Sequence, residues 1–549
     1  MKLDFLNHQT KRVGLAAIIL AVSHFISRIL GLMRDWLLAR SFGAGPDLDV
    51  YFAAFKIPDF VFNIFILGGI VAAFLPLFSE YFLEDQEESW DFVSNTLNIF
   101  LFLLICLSLV LFIFTPHLTK IIAPGFNDGQ IEKTILLTRL MLLSPIFFGL
   151  SSIFSGILQY FNRFLIYSLC PIIYNLLIIF GILFLAPHFG ILGVALGVVL
   201  GALFHFLIQI PSVLSCGLKY KPIFNFKDPK IKEVFLLMIP RAFGVSSLQI
   251  NQIVINAIAS TLVVGSISVF NFANNIRLFP ISIIGVSFAV AVFPKLSNAW
   301  VQNKKQEFVH RFSLVFRQIT YLVIPATILI FVLRNQIVNL VLRHGEFSAE
   351  SANLVSASVG LFCFGILFAS LRPLFFRAFF SLKDTKTPTL LAVVFVILNI
   401  VLSLVLTKSL SPSSLELVNL KGFLTNTFSL GSVKDISVLG FPLAYLISLS
   451  AEFFLFLFFL KRKIGNFKIK EIMNSFLKIL LAAGLMVMII QFSFLKLQNL
   501  ESDLYQIIII SLVGFLTYFL ATLALNSPET TSIKALLFNK VFLRIQNHD

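Results

Sequence analysis

Apolar stretches of about twenty residues recur along the whole chain, separated by short segments that are polar or rich in glycine and proline. A stretch of this length can cross the hydrocarbon core of a bilayer as an α-helix. The pattern predicts 14 membrane-spanning helices at 13–40, 51–82, 92–116, 134–160, 164–187, 190–216, 234–263, 267–298, 312–334, 351–381, 387–407, 438–460, 473–495 and 504–526. The longest polar interruption, 408–437, precedes the twelfth of them.

The composition supports this prediction. The 549 residues are 58% hydrophobic and 13% charged, and 65 of them are phenylalanine. Soluble domains carry about 25% charged residues. We therefore predict an all-α polytopic membrane protein, and we expect the first apolar run to be retained as a helix because no cleavage site follows it.

The positive charge is distributed unevenly between the two sets of alternating inter-helix segments. One set, which includes both termini, holds 22 lysines and arginines, whereas the other holds seven. Positive residues stay on the cytoplasmic side of membranes. This distribution therefore predicts that both termini are cytoplasmic, and it accounts for the net charge of +15 without nucleic-acid binding.

Two short strings recur about six predicted helices apart. The string AAFLPLFSEYF at 72–82 resembles VAVFPKLSNAW at 290–300, and GILQYFNRF at 156–164 resembles RAFFSLKDT at 377–385. Parallel repeats of this kind build two-lobed transporters. We predict an N-terminal six-helix lobe at 1–217, a second at 218–462 related to the first by a parallel pseudo-two-fold repeat, and two further helices with a cytoplasmic tail at 463–549.

One face of the first predicted helix carries a polar stripe at helical spacing: His24, Arg28, Gly31 and Asp35, with Arg34 on an adjacent line. Charged side chains at membrane depth face a protein interior or a water-filled cavity rather than lipid. Further charged or polar candidates follow downstream: Asp49, Lys56, Arg241, Asn275, Arg277, Arg372 and Arg377.

Arginine predominates among these intramembrane charges, and its planar guanidinium suits bidentate binding of phosphate or carboxylate. The pattern favours a central cavity that receives an anionic ligand. The alternative is that the charges pair with one another, Arg28 or Arg34 with Asp35 and Lys56 with Asp49, or reach toward the membrane surface.

The sequence offers little for catalysis. It contains no ATP-binding Gly-rich loop, no HExxH string and no cysteine or histidine spacing typical of a metal site. We expect no enzyme activity, no cofactor and no bound metal, so that uphill transport would use the membrane potential or an ion gradient. A candidate Na⁺ site comprises Asn251, Asn256, Asn399, Ser403 and Glu452, although asparagine also packs helices together.

Several strings together resemble the MurJ/MviN lipid II flippases of the MOP exporter superfamily. They include SRILGLMRD at 27–35, DVYFAAFKIPD at 49–59, TRLMLLSPIFFGLSSIFSGILQYFNRF at 138–164, GVSSLQINQIVIN at 244–256 and RAFFSLKDTKTP at 377–388. The resemblance implies two six-helix lobes, a C-terminal helix pair that forms a lipid-facing groove, and a cationic cavity that opens to each side in turn. The implied substrate is the undecaprenyl-diphosphate-linked peptidoglycan precursor. The resemblance also implies a monomer whose partners are membrane lipids and cell-wall synthesis proteins.

The resemblance maps the family's charged positions of the first two helices onto Arg28, Arg34, Asp35, Asp49 and Lys56. The chain departs from the family elsewhere. A basic pair common in the second helix reads Phe62-Asn63, and an Asp-Arg pair in the eighth reads Asn274-Asn275. Arg241, Arg277 and Arg372 are candidate replacements for these cations.

Three other functions remain open on the sequence. The chain could be a cation-coupled exporter of another lipid-linked oligosaccharide or of a small molecule, but a small-molecule exporter would not need a cation-lined cavity together with a lipid groove. A polytopic glycosyltransferase would need clustered acids in an outer loop, and 408–437 offers only Glu416 and Asp435. A scaffold would give no reason for the intramembrane arginines.

Overall fold

The computed structural model describes residues 13–64, 66, 71–465, 468–497 and 502–530. These residues form 22 α-helices and no strand. The first twelve are α1 Val13–Phe42, α2 Pro46–Ala54, α3 Lys56–Val61, α4 Val71–Glu84, α5 Gln86–Ile122, α6 Asp128–Met141, α7 Leu143–Tyr160, α8 Phe164–Phe180, α9 Ala186–Phe189, α10 Ile191–Leu207, α11 Ile210–Ser215 and α12 Pro229–Ser260. The rest are α13 Ser266–Pro280, α14 Ser287–Val301, α15 Lys305–Val332, α16 Arg334–Val341, α17 Ala349–Ser381, α18 Lys386–Ser409, α19 Val418–Thr427, α20 Gly440–Ile464, α21 Ile469–Leu497 and α22 Asp503–Ala524.

The helices confirm the predicted class, an all-α polytopic membrane protein. Within the described residues, 11 helical segments are long and apolar enough to cross a bilayer, and each coincides with one predicted span. The other three predicted spans, 13–40, 51–82 and 234–263, fall on α1, on α2 to α4 and on α12. The total of 14 spans stays a prediction.

The first compact unit comprises the described residues up to Ser268 together with His344–Ser348. Its core contains stacked aromatic rings from α4 and α5, with Phe74 against Phe78 and Phe92 at centroid separations of 5.6 and 5.8 Å. Helix α12 packs against α4 and α5 inside this unit. The predicted lobe boundary at residue 217 stays a prediction, and α12 lies beyond it in sequence.

The second compact unit comprises Val269–Arg343 and the described residues from Ala349 onward. Its core includes Phe375, whose ring stacks on that of Phe456 at 5.3 Å and joins α17 to α20. The last two long helices, α21 and α22, pack against each other and against α15. A hydrogen bond from the Tyr518 hydroxyl to the carbonyl oxygen of Tyr321, 2.8 Å long, fixes α22 on α15.

Each unit contains the same irregularities in its predicted repeat. A π-helical turn occupies 62–64 in the first unit and Ile281–Val286 in the second, and an in-helix proline, Pro76 or Pro294, follows each. A left-handed residue, Asn162 or Lys383, ends the later matching helix of each unit. Proline and π-turns interrupt the regular hydrogen-bond ladder, so each repeat has its interruptions at matching positions.

The residue after each left-handed turn is anchored by polar contacts. Arg163 is buried and donates to the carbonyl oxygen of Ser212 in α11 at 2.7 Å. Asp384 accepts a hydrogen bond from the Thr387 N–H at 3.0 Å and forms an ion pair with Lys463. Although partial burial opposes the effect, these hydrogen bonds hold the pKa of Asp384 below its ordinary value.

Candidate functional site

The polar stripe predicted on the first helix lies on one continuous helix, α1. The Nη2 atom of Arg34 lies 2.9 Å from Oδ1 of Asp35, and its Nε donates to the same oxygen at 3.1 Å. Asp35 is buried, with 4% of its surface exposed. The alternative of pairing within the stripe therefore applies to Arg34.

Arg28 differs from Arg34. Its side chain is exposed, and it makes no hydrogen bond or ion pair with any residue that the structure describes. The polar stripe thus has one positive charge that is cancelled by a neighbouring carboxylate and one that is not. An exposed guanidinium without a carboxylate partner can bind an anion.

Helix α8 fixes the orientation of the stripe. The side-chain oxygen of Asn175 accepts from Arg34 Nη1 at 3.4 Å, and its Nδ2 donates to Ser27 Oγ at 3.2 Å. One turn before Ser27 on α1, the hydroxyl of Ser23 donates to that of Ser168 at 3.0 Å. Sequence reasoning missed Asn175, although a lone asparagine within the apolar run 164–187 is the signal that could have found it.

Lys56 begins α3 and interacts electrostatically with Asp59, one turn later on the same helix. Asp59 also interacts with Arg34, so it belongs to the charge cluster of the first unit. Sequence reasoning did not single out Asp59, although it stands in the string DVYFAAFKIPD. Its charge offsets that of Lys56, which again leaves Arg28 as the cation without a carboxylate in this cluster.

The carboxylate of Asp49, another candidate binding residue, accepts hydrogen bonds from residues at the start of α13. Asp49 is buried at 3% exposure, and Oδ2 accepts from the N–H of Gly265 at 2.6 Å. Its Oδ1 accepts from the N–H and the hydroxyl of Ser268, at 2.8 and 2.6 Å. A carboxylate at these N–H groups caps the start of α13.

Close backbone contacts surround this cap. Gly265 has φ +93°, and a Cβ atom there would lie 2.4 Å from the carbonyl oxygen of Ala44. Gly345 has φ +60°, and a Cβ atom there would lie 2.3 Å from the carbonyl oxygen of Arg40. Glycine is required at both places because the conformation is left-handed and there is no room for a side chain. The end of α1 and the turn after it are thus closely packed against two other segments of the first unit.

We expect replacement of Asp49 by alanine to weaken the packing of the start of α13 against the turn after α1, because loss of a charge-assisted cap costs about 1.5–3 kcal/mol. A cysteine at position 266, buried in the wild type, should react with a membrane-impermeant thiol reagent about tenfold faster in D49A. The measurement uses a background without the four native cysteines. In D47A, which removes an exposed ion pair with Lys133, the rate should stay unchanged. Equal rates in the two variants would contradict the assignment.

The second unit contains Arg277 in a buried aromatic clamp. Its guanidinium lies 4.4 Å from the ring centre of Phe362 and 3.8 Å from that of Tyr445. Its Nε donates to the side-chain oxygen of Asn274 at 2.8 Å, and Nη1 has no hydrogen-bond partner among the described residues. Asn275, the neighbouring candidate, is half-buried. Cation–π contacts take the place of a carboxylate at Arg277.

Arg372 is paired with Glu452. Nη2 of Arg372 donates to Oε1 at 2.9 Å, whereas its Nε lies 2.8 Å from Oε2 without the alignment of a hydrogen bond, so that one hydrogen bond and the close approach of the charges join the pair. Glu452 is 2% exposed. The remaining candidate arginine of α17, Arg377, lies with its guanidinium 5.0 Å from the ring centre of Phe293. Arg241 lies on α12, but its side chain is outside the described part of the structure.

The candidate Na⁺ ligands fall into both units. Asn256 on α12 donates to the carbonyl oxygen of Ile122 at 3.0 Å, a helix-packing contact, and Asn251 is buried on the same helix. Asn399 and Ser403 lie one turn apart on α18, both buried, with Nδ2 and Oγ unpaired within the described residues. Glu452, the only carboxylate of the set, is already neutralised by Arg372.

An apolar cavity of about 260 Å³ lies in the second unit beside the π-helical turn. It is lined chiefly by aliphatic side chains from α15, α16 and α22, together with those of the turn, among them Ile283, Leu329, Ile330, Ile337 and Ile507. The cavity suits a hydrocarbon chain rather than a polar head group.

Comparison with known proteins identifies related chains. The family described as Lipid II flippase MurJ matches residues 38–428. A probable lipid II flippase MurJ of Vibrio cholerae is 30% identical over 406 residues, which cover 72% of this chain and 77% of the relative. Lipid II flippase MurJ of Burkholderia cenocepacia is 26% identical over 386 residues, covering 68% and 75%.

Solved structures share the fold. A lipid II flippase MurJ in an inward closed conformation has a TM-score of 0.73 at 24% identity and covers 96% of this chain and 100% of its own. An inward-facing multidrug resistance MATE family transporter of the MOP superfamily has a TM-score of 0.65 at 13% identity, covering 82% and 98%.

Proposed function

The chain belongs to the lipid II flippase MurJ family, and we propose that it moves lipid II from the inner to the outer leaflet by alternating access. The substrate is an undecaprenyl diphosphate that carries a sugar-peptide head. The observation that carries the proposal is the state of Arg28. Its guanidinium is exposed on the polar stripe of α1 and has no carboxylate partner among the described residues. The diphosphate supplies the missing negative charge.

Two further features fit such a substrate. Arg34, held by Asp35 and Asn175, adds a second guanidinium to the same helix as Arg28. The apolar cavity at the π-helical turn is lined for a hydrocarbon chain, as the isoprenoid of the lipid requires. As a member of a flippase family the chain is a transporter and not an enzyme, so binding and conformational change account for its activity.

The protein is a multi-pass membrane protein, and we propose the bacterial plasma membrane, with both termini in the cytoplasm, as its location. The charge distribution supports this orientation, because 22 lysines and arginines lie in the segments assigned to the cytoplasm and seven in the others. A monomer working near cell-wall synthesis proteins completes the proposal.

We propose the membrane potential as the energy source in preference to a Na⁺ gradient. A hard cation such as Na⁺ takes oxygen ligands, and Glu452, the carboxylate of the candidate set, is already engaged by Arg372. Moving charge across the membrane potential is worth about 2.3 kcal/mol per elementary charge at 100 mV.

Replacing Na⁺ by choline at constant potential should therefore leave the translocation rate of reconstituted protein within about twofold, whereas collapsing the potential should lower it about tenfold or more. If translocation instead requires Na⁺, the proposed energy source is wrong. In that case N399A should weaken the Na⁺ dependence if Asn399 is a ligand.

The function is tested by depleting a bacterium of its own lipid II flippase and expressing this chain. We expect growth and lipid II translocation to be restored. The variant R28A tests the role of Arg28, and its matched control is R462A, which removes an exposed guanidinium in the last turn of α20. The R462A chain should restore growth and lipid II translocation as the wild-type chain does. Growth without lipid II translocation, or failure of well-expressed wild-type chain, would overturn the proposal.

A further inference from the structure

The loop between α11 and α12 exposes large aromatic side chains. Tyr220, Phe224 and Phe226 are 58%, 52% and 46% exposed. They belong to the segment LKYKPIFNFK at 218–227, in which lysines and aromatic residues are interleaved. The charge cluster of α1 does not include this segment, so the proposed transport function leaves its composition unexplained.

The loop is held in one conformation by α5. The side chain of Asn95 accepts from the N–H of Asn225 at 2.8 Å and donates to its carbonyl oxygen at 3.0 Å. Asn98 donates to the carbonyl oxygen of Ile223 at 2.8 Å and accepts from the Tyr220 hydroxyl at the same distance. These bonds satisfy the loop backbone, so the aromatic side chains are displayed by a fixed scaffold.

The displayed rings continue an exposed apolar face of α5. Exposed apolar side chains of this helix, Phe102, Ile105 and Leu109, follow one another at helical spacing along one face. The ring of Phe224 lies 5.5 Å from that of Phe102 and 5.2 Å from that of Phe226. The aromatic cluster therefore lies where the exposed apolar face of α5 begins, beside the polar Asn95 and Asn98, and aromatic residues concentrate at such boundaries between membrane and water.

Positive charges flank the cluster. Lys221 is paired with Asp91, 2.5 Å away. Lys219 and Lys227 are exposed and have no ion pair among the described residues. Lysines beside an apolar surface at the head-group level attract anionic lipids.

We propose that residues 218–227 form an interfacial anchor that binds the phosphate head groups of anionic phospholipids, with its aromatic rings inserted at the membrane surface. Continuity with the exposed apolar face of α5 and the two unpaired lysines select lipid over a protein partner. In the proposed orientation this surface lies on the cytoplasmic leaflet. The anchor would hold the start of α12, which follows the loop, at a fixed depth.

The test compares the full-length protein with K219Q/K227Q and with K408Q/K434Q, a matched control that removes two exposed lysines elsewhere. Each is purified in detergent and titrated with phosphatidylglycerol or phosphatidylcholine, with bound lipid counted by native mass spectrometry. We expect the affinity of K219Q/K227Q for phosphatidylglycerol to fall about tenfold, since each lysine near an anionic surface contributes severalfold. The control should bind as the wild type does.

A second measurement tests the aromatic part. A cysteine at position 226, in a background without native cysteines, should be protected from a membrane-impermeant thiol reagent in vesicles that contain phosphatidylglycerol. Full reactivity there, or equal phosphatidylglycerol affinity in the two double variants, would overturn the proposal. If the loop instead bound a protein partner, K219Q/K227Q would bind phosphatidylglycerol as the wild type does, and the cysteine at position 226 would react fully in vesicles. The two measurements therefore distinguish lipid from a protein partner.

Discussion

R28A is expected to lower lipid II translocation about ten- to a hundredfold while the yield of folded protein stays normal. The guanidinium of Arg28 has no carboxylate partner among the described residues, so its removal leaves no buried charge stranded. Charge-assisted hydrogen bonds to a diphosphate are worth about 1.5–3 kcal/mol, and about 1.4 kcal/mol corresponds to a factor of ten. Translocation is measured in proteoliposomes, and yield by size-exclusion of the detergent-extracted protein.

Two comparisons sharpen this prediction. R28K should recover function only in part, because an ammonium cannot reproduce the bidentate fork. R34A should lower both yield and translocation, since it leaves the buried carboxylate of Asp35 without its cation, and R34A/D35N should regain the yield. If R28A instead loses folded protein, Arg28 has a structural role and the assignment is wrong.

E452Q is expected to destabilise the second unit strongly. A hydrogen bond and an ion pair join Arg372 to Glu452, and the Glu452 side chain is 1% exposed. Breaking a buried pair by removing one partner costs about 3–5 kcal/mol, because the remaining charge stays buried without compensation. Purified E452Q should therefore melt at a clearly lower temperature and give less folded protein than the wild type.

The double variant R372M/E452L separates the structural role from a role in transport. Replacing both charges by apolar side chains of similar size is often neutral or stabilising, so melting temperature and yield should return. Normal translocation in the double variant would show that the pair only joins α17 to α20. Loss of translocation at normal yield would show that Arg372 contributes charge to the transport path. A wild-type melting temperature in E452Q would contradict the predicted cost.

Much of the fold could be predicted from hydropathy alone. Helix formation satisfies backbone hydrogen bonds within each segment, so apolar length suffices to locate the spans. The polar stripe of α1 could be predicted for the same local reason, since His24, Arg28 and Asp35 share a face by helical geometry. The shared irregularities near Pro76 and Pro294 also follow a similarity that is visible in the sequence.

The roles of the individual charges could not be predicted in this way. Arg28 and Arg34 are equivalent on the sequence, yet Arg34 is neutralised by Asp35 and oriented by Asn175, which lies 141 residues away along the chain. Asp49 matched a substrate-binding position of the family, whereas the structure places its carboxylate on the first N–H groups of α13.

The membrane class, the helices and the polar face of α1 follow from the amino-acid sequence alone, because these features depend on side chains within a few turns of one another. Which charges are compensated is a property of the folded chain. That depends on which helices pack together, as Glu452 and Arg372 from α20 and α17 illustrate. Removing a charge from water is costly enough that each buried one needs a partner, and packing brings that partner from a distant part of the chain.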